Sequence, residues 1–287
     1  MHMQLSILIR NLNESKQLEQ TLLALKKQVT DFDYEVVVID NESDDDSVAV
    51  AERMGCKVLA LPREEFTFGR ALNFGINQCK GEIVLILSSH VILLNEFFLQ
   101  QIPKYFNEEK VAALRFIHAI DPKQVFNGVK FGPKELYYME FPCFPNNNWR
   151  NFLVNHCGAI RKACWKQEKF NEKIFSSEDK LWSLNILKKG YYILYNIPCY
   201  YVYTKELNRE RKIKGNIRQI SAKAYITGQS SEYHQSFLKF VFIKTKEQLK
   251  HLFVQLFLFI SIYRGIKKFN KNYTEYNSDN EVLRNWY

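Results

Sequence analysis

The pair Glu178-Asp179, set behind Ser176-Ser177 and ahead of a leucine pattern, is the sharpest chemical feature of the sequence. One carboxylate of such a pair is suited to take a proton from a hydroxyl while its neighbour orients it or the substrate. A general base must lie within hydrogen-bond reach of the proton it removes. As plain structure, Asp179 is instead a helix N-cap, worth about 1 kcal/mol. The paired acids of a glycosidase fit less well, because adjacent residues rarely flank one bond from two sides. Two further groups sit where apolar runs end. Asp40 closes "YEVVVID" and offers an acceptor to a base or ribose, or only to the turn after it. Ser88-Ser89-His90 closes an apolar run with two hydroxyls and an imidazole, which either contact a ligand or cap the strand. Arg70 and Asn73 fall in the opening turns of a helical pattern. Amides and a guanidinium there suit a phosphate, and a solvated arginine is the plain alternative.

The elements that must carry these groups alternate. "LSILIR" (5–10) reads as a strand; Asn13 can cap the helix after it, where Leu18, Leu22 and Leu25 share a face. "YEVVVID" (34–40) is a second strand, followed by "NESDDDSVAVAERMG", with acids in the first turn of a helix and Gly55 at its end. Those acids read as a charged helix start rather than a metal site, since one turn fans its carboxylates apart. "KVLAL" (57–61) is a third strand, "FGRALNFGINQCKG" a third helix that Gly81 stops, and 83–87 a fourth strand. Residues 118–150, rich in Pro, Gly and Asn, read as a long loop region over the site. Leu181, Leu184 and Leu187 then carry a helix that Gly190 ends, and "YYILY" is another strand. Strands alternating with helices predict an α/β fold with a doubly wound, mostly parallel sheet. Ligands of such sheets sit beyond the carboxyl ends of the strands, where Asn11, Asp40 and Ser88 to His90 all fall.

Composition narrows the classes. The chain has 287 residues, 46% of them apolar, enough to bury a sizeable core. Its six cysteines form no C-x-x-C pair, which predicts reduced thiols rather than zinc. The start of the chain lacks a basic n-region and reads as a strand, not a signal peptide. Residues 1–204 hold 24 Lys+Arg against 24 Asp+Glu, so the whole net charge of +9 lies in 205–287. That division predicts a neutral catalytic body over 1–204. Residues 205–287 read as a basic, amphipathic helical extension. Its run Leu252 to Tyr263 is 12 residues long, too short to span a bilayer. Three readings of that extension stand: a helix packed on the catalytic body, an element on an anionic membrane surface, or a homodimer face. Specific nucleic-acid binding would rest on charge alone, with no recognised motif to support it.

The series "ILIRNLNES", "EVVVIDNESDD", "FTFGRALNFGI", "GEIVLILSSH", "GAIRKACW", "SSEDKLW" and "KKGYYILYNIPCYYVY" resembles the family 2 glycosyltransferases, and most the rhamnosyltransferase-like branch. The resemblance covers about 4–204 and implies a nucleotide-sugar half over about 1–95 and an acceptor half over about 96–204. It implies a GT-A fold, a nucleotide-diphosphate sugar donor, inversion at the anomeric carbon and a glycan or lipid-linked acceptor. Residue by residue, it implies that Asn11, Asn13 and Glu14 form the first nucleotide loop and that Asp40, with Ser43, holds the nucleoside. It further implies that Arg70 and Asn73 close over the donor, and that Asp179 is the base with Glu178 before it and Trp182 behind it. His156 matches a point where the family's chain faces the acceptor, with a loop hydrogen bond as its plain alternative, and Trp182 is expected to contact the acceptor as well.

Two departures stand out. The family's acidic metal motif falls at 88–90, which here reads Ser88-Ser89-His90, and the branch's later histidines give way to "YVYTKEL". A divalent metal, Mn²⁺ or Mg²⁺, is therefore left with one candidate ligand, neutral His90, which suits Mn²⁺ better than Mg²⁺. Otherwise His90, with Ser89, Arg70 and nearby amides, meets the diphosphate directly. The resulting expectation is an inverting hexosyl- or deoxyhexosyltransferase of surface-polysaccharide synthesis, using dTDP-rhamnose or a UDP-sugar. It would be cytoplasmic and peripheral on the inner membrane face. A nucleotide-sugar-binding protein without turnover is the second reading, and the oligomeric state is left open.

Overall fold

A computed structural model describes residues 4–119, 137–139, 152–174 and 176–204, with single helical positions at 215, 222, 226, 260 and 264. The basic extension lies almost wholly outside the described residues, as does most of the expected loop region. Chain contacts gather Met1–Asn171 with Asp179–Glu206 into one compact unit, and Glu172–Glu178 with Leu207–Tyr287 into another. The first unit carries the sheet.

Four strands form its parallel half: β1 (Leu5–Asn11), β2 (Tyr34–Asp40), β3 (Lys57–Ala60) and β4 (Ile83–Ser88), in the order β3-β2-β1-β4. All six residues of β4 are buried, the signature of a strand covered on both faces. Edge strand β3 is half exposed. Between them run α1 (Ser15–Lys26), α2 (Ser47–Arg53) and α3 (Phe68–Gln78). Leu18, Leu22 and Leu25 bury the inner stripe of α1, as their spacing predicts. Thr67 caps α3, its side chain accepting from the Arg70 amide at 3.0 Å.

Beyond β4 the sheet is mixed. Strand β8 (Cys157–Arg161) runs antiparallel to β4 and to the next strand, β6 (Val111–His118), whereas β6 and the following β9 (Tyr192–Tyr203) are parallel, with β5 (Val91–Leu93) at the far end of β9. Short β7 (Tyr137–Met139) also pairs with β9, inside a stretch the sequence presents as irregular. Helices α4 (Phe98–Gln101), α5 (Lys162–Gln167) and α6 (Glu178–Lys188) complete the order. Gly55 and Gly190, at φ 81 and 84, end α2 and α6 as expected. The five described cysteines are free thiols.

Three local expectations are corrected. Asn13 does not cap α1: it has φ 52, and Glu14 occupies the cap position without a side-chain cap bond. The acids Asp44, Asp45 and Asp46 precede α2 rather than fill its first turn. Helix α3 ends at Gln78, so Gly81 marks the entry to β4. There a Cβ would lie 2.5 Å from the Ser6 amide nitrogen, a close approach that needs glycine.

Gly158 on β8 is a second close approach: an added Cβ would lie 2.6 Å from the Val154 carbonyl oxygen. Backbone must move to admit it, whereas a Cβ at Gly75 would meet only side-chain ends of Ile39 and Leu8. Gly158→Ala is therefore expected to lower stability by about 1–3 kcal/mol in urea unfolding, and more than Gly75→Ala.

Candidate active site

The carboxyl ends of β1 and β2 are in register, Asn11 opposite Asp40. The Asn11 amide donates to Asp40 Oδ1 at 2.9 Å and to Ser43 Oγ at 3.2 Å. Ser43 Oγ donates to the same carboxylate oxygen at 2.7 Å, and the Ser43 amide donates to Oδ2 at 2.8 Å. Asp40 thus organises both strand ends before it can meet any ligand; of its roughly four acceptor sites, three are spent on the protein. Asn11 Oδ1 is buried with no hydrogen-bond partner among the described residues. The rim of the loop is tied as well. Asn13 exchanges bonds with Asp44, the Ser15 amide donates to Asp45 at 2.9 Å, and Arg63 pairs with Asp44. These bonds are where two of the three acids of "SDDDS", Asp44 and Asp45, go.

At the end of β4, the three residues split. The Ser88 amide donates to the His156 carbonyl at 3.0 Å. Ser89 is buried, and its hydroxyl donates to Glu14 Oε2 at 2.5 Å rather than facing a ligand. His90 Nδ1 meets the same Glu14 oxygen at 2.7 Å. A carboxylate therefore stands beside a strand end that carries none of its own.

The other side of the site is a loop, 152–155, sewn to α6. The Leu153 amide donates to Ser183 Oγ at 3.1 Å, and Ser183 Oγ donates to the Asp179 carbonyl at 2.6 Å. The Asn155 amide donates to Asp179 Oδ2 at 3.2 Å, and Oδ1 accepts from the Lys180 amide at 2.8 Å. Asp179 is 7% exposed and lies in the first turn of α6, so it is not the helix cap. Glu178 begins that helix and is buried. Three cations hold the loop by its carbonyls: Arg10 to Asn155 at 3.0 Å, Arg115 to Phe152 at 3.1 Å, and Lys180 to Leu153 at 2.7 Å. They are expected to fix the aspartate's position and to make its surroundings electropositive. None of the three stands out in the sequence; only the topology gathers them.

His156 sits within this cluster, its Nε2 2.8 Å from the Tyr201 hydroxyl, so its loop hydrogen bond is real. Burial, then the charges of Lys180, Arg115, His118 and Arg10, hold its pKa well below 6.5. Desolvation also lowers His118. An unfolded histidine protonates near 6.5, so as pH falls through that value the unfolded chain takes up the proton that folded His156 refuses. Its stabilising contribution is present above about pH 6.5 and is lost toward the lower folded pKa, at no more than about 1.4 kcal/mol per pH unit. Melting curves from pH 7.5 to 5 are expected to fall more steeply for the wild type than for His156→Gln.

Two expected contacts prove to be scaffolding. Trp182 is 1% exposed, stacks on Phe170 at 5.4 Å and donates to the Glu168 carbonyl at 2.6 Å, so it packs beneath the site and does not face an acceptor. Asn73 donates to the Phe170 carbonyl at 2.8 Å and accepts from Trp165 and the Phe170 amide, binding α3 to the segment after α5. Arg70 is half exposed and pairs with Glu65. Among the described residues no three His, Cys, Asp or Glu side chains converge as a metal site.

The Glycosyl transferase family 2 sequence model matches residues 6–167, more than half of the chain, and the protein belongs to that family. Its α/β sheet has the GT-A-like fold. Solved structures agree on the fold. The mannosyltransferase PcManGT from Pyrobaculum calidifontis, in complex with GDP-Man and Mn²⁺, superposes with a TM-score of 0.58 at 17% identity. That match covers 77% of this chain and 64% of that one, so this chain spans less than two thirds of that relative. S. aureus TarS 1–349 in complex with UDP-GlcNAc gives 0.57 at 21% identity, covering 87% and 77%. The glucosyl-3-phosphoglycerate synthase from Mycobacterium tuberculosis, with Mn²⁺, UDP and glucosyl-3-phosphoglycerate, gives 0.52 at 14% identity, covering 76% and 79%. No curated protein matches the sequence.

Proposed function

We propose that the protein transfers a sugar, with inversion, from a nucleoside-diphosphate donor to a hydroxyl of a glycan or lipid-linked acceptor. The observation that carries this reading is Asp179, fixed through both oxygens by backbone amides in a cationic surround. One of those amides is that of Asn155, and the carbonyl of the next residue, His156, accepts from the Ser88 amide at the end of β4. Asp179 takes the acceptor's proton, and the freed oxygen attacks the anomeric carbon from the face opposite the leaving diphosphate. Charge then grows on that diphosphate, and meeting it is a large catalytic term. His90 and Arg70 lie on the elements nearest the expected phosphates. Asn11, Asn13, Asp40 and Ser43 form the nucleoside end, with Glu178 orienting Asp179 and His156 lying on the acceptor side.

Two of the relatives named above, the mannosyltransferase and the glucosyl-3-phosphoglycerate synthase, are complexes that hold Mn²⁺ with a nucleotide or nucleotide sugar. Here the donor set is thin: one imidazole, His90, whose other nitrogen rests on a carboxylate, the usual support of a metal-bound histidine. Such a seat suits Mn²⁺ better than Mg²⁺. When bound, the ion would neutralise charge on the diphosphate.

The rhamnosyltransferase-like series favours dTDP-rhamnose, with UDP-sugars next, and a role in bacterial surface polysaccharides. No described helix is long and apolar enough to cross a membrane. The basic excess in 205–287 supports peripheral attachment to an anionic, inner membrane face by a separate extension after a catalytic domain ending near 204. The test is a thermal-shift panel of UDP, dTDP, GDP and their sugars, with Mn²⁺, Mg²⁺ or EDTA. A nucleotide or its sugar that raises the melting temperature supports the reading. No response to any of them would overturn it. A response that needs Mn²⁺ supports the metal seat, and one indifferent to EDTA removes it. Because the strand end lacks the usual acids, a binding protein without turnover is the second reading.

A further inference from the structure

Glu14 occupies the N-cap position of α1, where an acidic side chain normally accepts from the helix's first amides, yet it makes no such bond. Its carboxylate reaches instead to the end of β4, 76 residues away in sequence, and meets His90 Nδ1 at 2.7 Å. The Ser89 hydroxyl donates to the same oxygen at 2.5 Å. His90 is held at its carbonyl and ring face too. Its carbonyl accepts from the Thr204 amide at 2.9 Å and hydroxyl at 3.2 Å, and its ring stacks on Tyr203 at 5.1 Å. Ser89 is held from α1 by Thr21, which donates to its carbonyl at 2.9 Å. The Glu14 and His90 side chains are only 9% and 19% exposed, so this pairing is not a screened surface contact.

An ionised carboxylate only accepts hydrogen bonds, so the ring nitrogen facing Glu14 must carry the proton. In the neutral ring that leaves the lone pair on Nε2, which has no hydrogen-bond partner among the described residues. We propose that Glu14 is a positioning residue for His90. It fixes the imidazole proton on Nδ1 and so presents Nε2, as an acceptor, to the diphosphate end of the donor. This rests on the donor reading above. A lone pair and an anionic phosphate oxygen repel, so a cation must lie between them: a proton taken up by Nε2, or a divalent ion bound by it. Either way, the acid missing from β4 is supplied from the β1–α1 junction, one residue removed from the diphosphate instead of touching it.

The experiment is long-range proton–nitrogen NMR of the full chain labelled at histidine nitrogens, with His90 assigned by the signal lost in His90→Gln. In the wild type, neutral His90 is expected as the Nδ1–H form; an Nε2–H form overturns the proposal without any further variant. Glu14→Gln, nearly isosteric, is expected to remove the preference and to lower sugar transfer about 10- to 100-fold while donor KM stays close to wild type. An unchanged tautomer in Glu14→Gln overturns the proposal. UDP, dTDP and GDP are then added, with EDTA and with Mn²⁺. A moved Nε2 signal in EDTA supports the proton, and one that moves or broadens only with Mn²⁺ supports the metal. A nucleotide that raises the melting temperature but leaves Nε2 still in both conditions overturns this proposal and leaves the donor reading standing. If none of the three binds, the donor reading itself fails, whatever the tautomer.

Discussion

Asp179→Asn is expected to abolish transfer, lowering kcat by about 10²- to 10⁴-fold, while the donor still binds and the fold persists. The amide is the same size as the carboxylate, and one oxygen remains to accept a backbone N–H. What disappears is the group able to take the acceptor's proton. The surround sharpens the expectation: the Asn155 and Lys180 amides point at the two carboxylate oxygens, so an NH₂ group there confronts a donor with a donor. Arg115 adds positive charge nearby without a hydrogen bond to Asp179, its guanidinium being held on Phe152. Steady-state kinetics with donor titration read the result. A variant that kept wild-type kcat would remove Asp179 from the reaction.

The second large effect is expected at Asp40. The carboxylate is 4% exposed and accepts from Asn11 and twice from Ser43. Asp40→Ala leaves these donors unpaired at about 1–3 kcal/mol each and releases both strand ends together. A fall in melting temperature is expected, with nucleotide affinity weakened by about 10- to 100-fold, the worth of hydrogen bonds to a charged group. Calorimetric titration of UDP, dTDP or GDP, whichever binds best, checks it. Weakened binding without lost stability would mean that the carboxylate serves the nucleoside alone; lost stability with intact affinity would make it a strand-end organiser only.

The parallel half of the sheet was legible because each of its strands is an apolar run closed by a polar residue and followed by a helix signature. Asp40 and Asn11 could be placed together for the same reason: parallel strands in register bring their ends to one edge. The mixed half was not legible. "VAALRFIH" and "CGAIR" are apolar runs like any other, and nothing local says that β8 inserts between β4 and β6. That insertion brings Asn155 to Asp179 and Arg115 to the loop, so half of the base's surroundings could not be read from spacing. Helix caps misled for a related reason. Asn13 has the right chemistry for a cap, but its positive φ and its bonds to Asp44 serve the loop instead. Glu14 could be assigned to a nucleotide loop by resemblance; its partner His90 lies in the turn between β4 and β5, and only side-chain reach joins them. Trp182 and Asn73 show the converse, residues that fit a site motif while packing the scaffold beneath it.

The central claim is inverting transfer from a nucleotide sugar. The most direct measurement follows nucleoside diphosphate release from UDP-, dTDP- and GDP-sugars, with glycan and lipid acceptor extracts, by the wild type and by Asp179→Asn. The account predicts release by the wild type from at least one donor, a product of inverted anomeric configuration by proton NMR, and no release by the variant despite equal donor binding. Binding of a donor by both proteins with release by neither would contradict it and leave a nucleotide-sugar-binding protein in its place.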